Sequence, residues 1–405
     1  MSWKMKLERN WGQLDMKSDF ITKPLSQLAS IQTGPFGSQL HKKDYVKHGT
    51  PIVTVEHLGQ KRFTEQNLPC VSNEDKMRLN KYILRKGDIV FSRVGAVDRC
   101  SFVSKEYNGW MFSGRCLRVR PSSEIEPEYL YYFFNLAATK QFIRGIATGA
   151  TMPSINTKFM GEVPITYPNI NIQRNIVAVL NSLDEKIQLN TEINKNLLQQ
   201  AGAVFDKFYE ESPNQQSFTS FIRVLGGGTP KTGNSDFWNG PIPFFTPKDV
   251  GVPYTFQTEK HITEFGLAHC SSRLYQKDTT FVTARGTVGK VSLAGTPMAM
   301  NQSCYALVSD VIDPLLVYFY VLKAVASLKH KASGAVFDAI VTRDFDSETI
   351  NLLSDNDSKS VLSIIRPMME AIHNNSKENI RLVAFRDSLL PRLMLGKLDV
   401  SKVDL

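Results

Sequence analysis

Residues 176–208 read IVAVLNSLDEKIQLNTEINKNLLQQAGAVFDKF. Apolar or asparagine side chains recur through them at alternating steps of four and three: Ile176, Leu180, Leu183, Ile187, Asn190, Asn194, Leu197, Ala201, Val204 and Phe208. That is the 3.5-residue period of a coiled-coil seam. Adding 185 to each number gives Val361, Ile365, Met368, Ile372, Asn375, Asn379, Leu382, Arg386, Leu389 and Leu393, a second seam with both asparagines in the same places. Its one departure is Arg386, where the first seam has Ala201. A repeat on this scale decides the architecture, because each copy carries the same supersecondary unit.

The sequence outside the seams repeats more loosely. Pro51-Ile-Val-Thr54 recurs as Pro243-Phe-Phe-Thr246, and each run reaches a glycine, Gly59 and Gly251, at the same spacing. Phe91-Ser-Arg-Val-Gly95 recurs as Val282-Thr-Ala-Arg-Gly286, and Gly149-Ala150 with Ile155 as Gly334-Ala335 with Ile340. Leu130, Tyr132, Phe133 and Leu136 return as Leu316, Tyr318, Phe319 and Leu322, an aromatic helix face expected in a core. Short β-rich runs broken by Gly and Pro accompany these helices, so the expected class is α+β, with two tandem globules and two long helices. The expected divisions are a first globule at 1–168, a central long helix at 169–210, a second globule at 211–352, and a C-terminal long helix with its tail at 353–405.

Residues 171–210 as one helix span about 60 Å, more than a compact domain of this size is wide. The second globule leaves the end of one helix and feeds the start of the next, so a compact domain requires the helices to run antiparallel. A crossing centred near residue 192 then sets Asn190 against Asn379, Asn194 against Asn375, Ile187 against Leu382 and Leu197 against Ile372. Buried asparagine layers fix register at some cost in stability. Pro367 is expected to mark the second helix's true start or its weakest point.

Composition limits what such an object does. Hydrophobic residues make up 42% and charged residues 21% of 405, within the range of folded globular chains. The N-terminal residues are charged throughout, with no apolar core of a secretory signal, and no apolar run reaches the length of a membrane span, so a cytoplasmic protein is expected. Five cysteines without a C-x-x-C pair, and seven histidines without paired spacing, give no disulfide framework or zinc site; structural or surface roles are expected for them. Lys and Arg exceed Asp and Glu by 48 to 39, which tilts the expectation toward a polyanionic partner. The excess is uneven. Residues 1–168 carry 24 basic and 15 acidic groups, whereas 211–352 carry 12 of each. Two similar domains on an antiparallel helix pair form a ruler suited to two separated half-sites on DNA. The neutral second globule must then bind phosphate by local clustering or leave most of the grip to a partner.

The segment Gly34-Pro-Phe-Gly-Ser-Gln39 with Gly49-Thr-Pro-Ile-Val53, and its counterpart Gly226-Gly-Gly-Thr-Pro230 with Gly240-Pro-Ile-Pro-Phe-Phe245, carry a resemblance. So do the helix opening Gln173-Arg-Asn-Ile176, running to Leu183-Asp-Glu-Lys-Ile187, and the tail Leu389-Leu-Pro-Arg-Leu393 before Gly396. Together they resemble the DNA-specificity subunit of type I restriction-modification systems over almost the whole chain. The stretch Asp344 to Asp357 departs from the pattern, being acidic and lacking a proline-rich approach like Val163–Pro168. The resemblance implies two target-recognition domains reading a bipartite double-stranded target, and a coiled coil that sets the spacer and docks two methyltransferase subunits. It also implies recruited nuclease-translocase subunits. S-adenosylmethionine is then expected on the methyltransferase partner, with no cofactor on this chain.

No N-P-P-Y or D-P-P-Y run for base methylation and no nucleotide-binding loop stands in the sequence. Gly286-Thr-Val-Gly-Lys290 lacks the first glycine and terminal hydroxyl of a phosphate loop and reads as a turn between strands. Gly226–Gly228 reads as a flexible loop whose amides are free to approach phosphate. A non-catalytic chain is therefore expected. For DNA contact the candidates are Arg93 and Arg99 in the first globule and Lys248, Arg285 and Lys290 in the second, with Gln39, His57 and Asn234 behind them. The rival reading is a two-headed protein-binding scaffold whose basic balance is incidental.

Overall fold

The computed structural model describes residues 20–36, 39–331 and 339–400. The chain divides into two units, one comprising residues up to Glu185 with those from Val383 onward, the other Lys186–Leu382. In the first, the chain passes through β1 (Ile21–Pro24), α1 (Leu25–Leu28), β2 (Ala29–Thr33), β3 (Tyr45–Val46), β4 (Thr50–Val53), β5 (Cys70–Val71) and α2 (Asn73–Arg78). It continues through β6 (Ile89–Ser92), β7 (Cys100–Phe102), β8 (Met111–Phe112), β9 (Cys116–Pro121), α3 (Pro127–Asn135), α4 (Ala137–Ile146), α5 (Thr157–Gly161) and β10 (Pro164–Tyr167) into the central helix α6 (Ile170–Glu211). The strands form an antiparallel sheet in the order β2-β9-β6-β7 and a smaller one in the order β3-β5-β4-β8, in which β4 and β8 run parallel.

The second unit repeats this plan. Its elements are β11 (Gln215–Ser217), β12 (Arg223–Gly226), β13 (Trp238–Phe245), β14 (Tyr254–Thr255), β15 (Lys260–Ile262), α7 (Glu264–Ala268), β16 (Thr280–Thr283), β17 (Val291–Ala294), β18 (Ala299–Met300) and β19 (Cys304–Val308). After these come α8 (Pro314–Lys331), α9 (Thr342–Asp346), β20 (Thr349–Asn351) and the C-terminal helix α10 (Asp355–Met394). Sheet order β12-β19-β16-β17 matches β2-β9-β6-β7, with β14 added at the edge, and β15-β13-β18 matches β5-β4-β8, again with one parallel pair. The class is α+β, as expected from the sequence.

Each globule is closed by a two-stranded antiparallel ribbon, β1 with β10 and β11 with β20, and the ribbon's last strand leads into a long helix. The acidic run Asp344–Asp357 is thereby explained. It supplies α9, β20 and the start of α10, where Ser354 Oγ accepts from the Asp357 amide at 3.2 Å. Asp355 and Asp357 lie in the first turn, where carboxylates favour the helix dipole. At the far end Gly396, at φ 68°, provides the left-handed residue that stops α10.

α6 and α10, about 63 and 60 Å long by residue count, run antiparallel. Asn190 Nδ2 donates to Asn379 Oδ1 at 2.9 Å, and Asn375 Nδ2 donates to Asn194 Oδ1 at 2.9 Å, so rising numbers on one helix meet falling numbers on the other. Both asparagine layers fall where the seam places them. Asn190, 1% exposed, also reaches Glu378, while Asn379 reaches the Ile187 carbonyl and Thr191, so the amides are satisfied. Asn190→Ala is expected to cost about 1–3 kcal/mol, because the Asn379 oxygen loses its donor inside the pair. A urea unfolding series on the full chain checks it, and an unchanged midpoint would contradict it.

Four sequence expectations need correction. Pro367 neither starts nor weakens the second helix, since α10 begins at Asp355 and runs through it. Pro367 is exposed, and its flanking residues Ile365 and Met369 are fully buried, so their packing offsets the missing backbone bond. The strict 3.5 period also drifts: Met369, Leu390 and Phe205 are more deeply buried than Met368, Leu389 and Val204, as a helix of 3.6 residues per turn requires. Of the aromatic face, Leu322 is 36% exposed while the other seven residues are buried. Finally, Gly226–Gly228 is no free loop. Gly226 ends β12, and Gly228 is buried with its amide donating to the Met300 carbonyl at 3.2 Å.

The ends of α6 and α10 complete each unit's core. In the first unit Ile176, Val177 and Leu180 join Leu390, Leu393 and Met394 against α3. In the second, Ala201 and Phe205 join Val361, Ile365, Met369 and Ile372 against α8. Burial pushes the Cys100, Cys116 and Cys304 thiols up to about 12, so these three pack as neutral hydrophobes. Among the described residues no helix is long and apolar enough to cross a membrane, and no group of three or more His, Cys, Asp or Glu is arranged to hold a metal ion. Gly334 and Ala335 lie outside the described residues.

Candidate nucleic-acid interface

The repeated motifs meet in one backbone frame, built once per globule. In the first unit the β6–β7 loop carries Arg93, whose amide donates to the Arg115 carbonyl at 2.8 Å and whose carbonyl accepts from Ile155 at 3.0 Å. In the second, Ala284 of the β16–β17 loop bonds in the same way to Ser303 at 2.8 Å and Ile340 at 2.9 Å. Each loop turns on a left-handed glycine, Gly95 (φ 74°) or Gly286 (φ 80°), and Gly286–Lys290 is a turn between strands as its sequence indicates. Over each frame passes the strand end holding Gly34 or Gly227. A β-carbon at either would lie 2.1 Å from a carbonyl oxygen, that of Ser113 or Asn301, so only glycine permits the crossing.

This correspondence pairs residues one to one. Cys116 and Cys304 are buried equivalents, each donating its amide three residues back, to Ser113 and Asn301. Counting back one from them pairs Arg115 with Ser303, the matching frame bonds pair Arg93 with Ala284, and counting on two from Gly34 and Gly227 pairs Phe36 with Thr229.

Of the candidates named from sequence, Arg93 is half-buried and turned inward. It donates to the Gly114 carbonyl at 3.3 Å, and its guanidinium lies 5.7 Å from the centre of the Phe36 ring. Arg99 is exposed, but its guanidinium donates to the Leu58 carbonyl across Gly59. In the second unit Lys248, Arg285 and Lys290 are all exposed, Lys248 standing 3.7 Å from Glu259. Arg285 and Lys290 occupy the two ends of one loop. Gln39, His57 and Asn234 are occupied in local structure. Gln39 accepts from the Tyr82 hydroxyl at 2.7 Å, buried His57 accepts from the Thr54 amide at 3.0 Å, and Asn234 caps a turn at Asp236.

The family profile described as "Type I restriction modification DNA specificity domain" matches residues 17–199 and again 218–382. The chain belongs to this DNA-specificity family. Among curated relatives, the specificity subunit of the type I restriction enzyme HindI of Haemophilus influenzae is 23% identical, over 78% of this chain and 88% of its own length. The putative MjaX specificity subunit of Methanocaldococcus jannaschii is 23% identical over 89% of each. The fold is shared with the crystal structure of a type I S subunit from M. genitalium, with a TM-score of 0.58 and 14% identity over 94% of this chain and 96% of that one.

Within this specificity-family fold, the two globules keep the frame and change what stands on it. The sequence reading passed over Phe36, Lys42 and Arg115, which line one cavity of about 690 Å³ in the first unit. Phe36 is 59% exposed, and Lys42 and Arg115 are exposed. The signal that would have found them was the repeat itself: positions equal in both globules belong to the fold, and exposed positions that differ are free to recognise something. A second feature private to the first unit ties globule to helices. Asp184 on α6 accepts from Tyr132 at 2.6 Å and pairs with Arg386 on α10 at 2.7 Å, while Lys61 bridges to Glu128 at 3.0 Å and Asn181 at 2.6 Å. In the second unit the corresponding places hold Met369 and Ala201.

Proposed function

We propose that this chain is the DNA-reading subunit of a type I restriction-modification complex. Each globule reads one half of a split double-stranded target, and the antiparallel helices hold the halves at a fixed spacing. The helix pair docks two methyltransferase subunits, which carry S-adenosylmethionine, and nuclease-translocase subunits join the assembly in the cytoplasm. The chain itself positions DNA and performs no catalysis. The observation that carries this reading is the duplicated frame with different residues on each copy: exposed Phe36 and Arg115 around half-buried Arg93 on one, half-buried Thr229 and Ser303 around buried Ala284 on the other. Two copies of one scaffold with separate polar dress suit two different half-sites, because loops on a rigid frame carry recognition. Lys248, Arg285 and Lys290 are the second globule's cations for phosphate or guanine, and Arg99 serves the first.

Grafting residues 1–168 from a relative onto this chain is expected to change one half-site of the methylated target and leave the other half and the spacer unaltered. Mapping methylated bases in host DNA reads the outcome. A change in both halves would overturn the division of labour, and a stable complex that methylates nothing would favour a protein-binding scaffold.

A further inference from the structure

The Phe36 site has the form of a stacking contact. Phe36 is 59% exposed, above Phe385 at 54% and Phe265 at 52%, and among the described residues no other aromatic ring stacks on it. Its approach is fixed from below: Gly34 lets the chain cross the Ser113 carbonyl, and a β-carbon at Gly114 would meet the Phe36 β-carbon at 2.9 Å. Behind the ring lies the Arg93 guanidinium, whose buried Nε has no hydrogen-bond partner, so this cation is spent partly on the ring face. Around the same cavity stand Lys42 and Arg115, neither in an ion pair among the described residues, with Glu56 as the acidic member of the wall. The equivalent frame in the second unit has Thr229, Ala284 and Ser303, so the fold does not need these side chains.

We propose that Phe36, backed by Arg93, stacks on a nucleobase that is unstacked at one step of the first half-site, while Lys42 and Arg115 hold the flanking phosphates. The contact rests on the DNA-recognition reading and gives it a residue-level form. Aromatic faces accept any base, so Phe36 contributes affinity and deformation, and edge contacts such as Glu56 to a base amine contribute choice. The basic excess of residues 1–168 places most of the electrostatic grip on this same half.

The test uses the full chain assembled with its methyltransferase subunits and a fluorescein-labelled duplex carrying the mapped split target. Phe36→Ala is expected to weaken binding about 5- to 150-fold without altering the salt dependence, since no charge is removed. Phe36→Leu is expected to do the same, and Phe36→Tyr to retain binding. Lys42→Gln and Arg115→Gln are each expected to reduce the salt slope by about 0.9. 2-Aminopurine placed along the first half-site should brighten at one step with the wild-type complex and stay dark with Phe36→Leu. Tight binding by Phe36→Leu, or 2-aminopurine brightening that does not depend on residue 36, overturns the stacking contact while leaving DNA recognition in place. Failure of the wild-type complex to prefer the target over unrelated duplex overturns the recognition reading itself.

Discussion

Gly34→Ala is expected to destabilise the first unit by about 3 kcal/mol or more, beyond the usual range for adding one methyl group to a packed site. The added β-carbon would lie 2.1 Å from the Ser113 carbonyl oxygen and 2.9 Å from that of Phe112, and both are backbone atoms, Phe112 in β8 and Ser113 held by the Cys116 amide, so neither yields as a side-chain tip does. Gly227→Ala meets the Asn301 carbonyl at the same 2.1 Å, and the same loss is expected in the second unit. The triplet Gly226–Gly228 supplies an internal control. Nothing lies within 4 Å of a β-carbon at Gly226, whereas one at Gly228 would strike Ser271. Gly226→Ala is therefore expected to stay within about 0.5 kcal/mol of the parent. Urea unfolding of the four variants checks the order. Equal tolerance across the triplet would contradict the crossing geometry.

The second large effect is expected at Asp184. Its carboxylate is shared by Arg386 and Tyr132, with Lys61 at 3.8 Å, and its side chain is 15% exposed. Burial opposes the charge on Arg386, but the hydrogen bonds it donates to Asp184 and Asp387 outweigh it and hold the guanidinium more firmly protonated than usual. Burial, and after it the Asp184 charge, pushes the Tyr132 phenol well up, so it remains a neutral donor. Asp184→Ala leaves the half-buried Arg386 with only the exposed Asp387, and the buried Tyr132 hydroxyl with only Asn181, and is expected to cost about 2 kcal/mol. The second unit solves the same junction with apolar residues, Ala201 and Met369, both fully buried. Asp184→Met combined with Arg386→Ala is thus expected to recover at least half of that loss, because removing both charges together avoids a half-buried cation that has lost its better-buried partner. Additive losses in the double variant would show that the pair is not the coupling element.

The helical skeleton was legible because it is periodic. Asn190, Asn194, Asn375 and Asn379 recur at one offset, and a seam that must face itself in antiparallel fashion leaves little freedom in register. What periodicity missed was set by packing. Pro367 reads as a stop in isolation, yet Ile365 and Met369 on either side are held by the second unit's core. Gly226–Gly228 reads as slack because composition says nothing of the Asn301 carbonyl across the chain crossing. The candidate site was legible at the level of loops only. Arg93 stands in the repeated loop that its motif marks, but its guanidinium points inward to Gly114 and Phe36, a direction fixed by contacts distant in sequence. Gln39 and His57 look available in sequence and are consumed by Tyr82 and Thr54. Phe36 sits in plain view within Gly34-Pro-Phe-Gly37, where the glycines draw the eye and the aromatic between them is the exposed group.

The most direct test of the central claim is to co-express this chain with its methyltransferase subunit and map methylated adenines in the host DNA, with and without the chain. The expected result is a split motif, two short specified halves around an unspecified spacer, methylated only when the chain is present. Methylation of an undivided motif, or of the same sites without the chain, would contradict it.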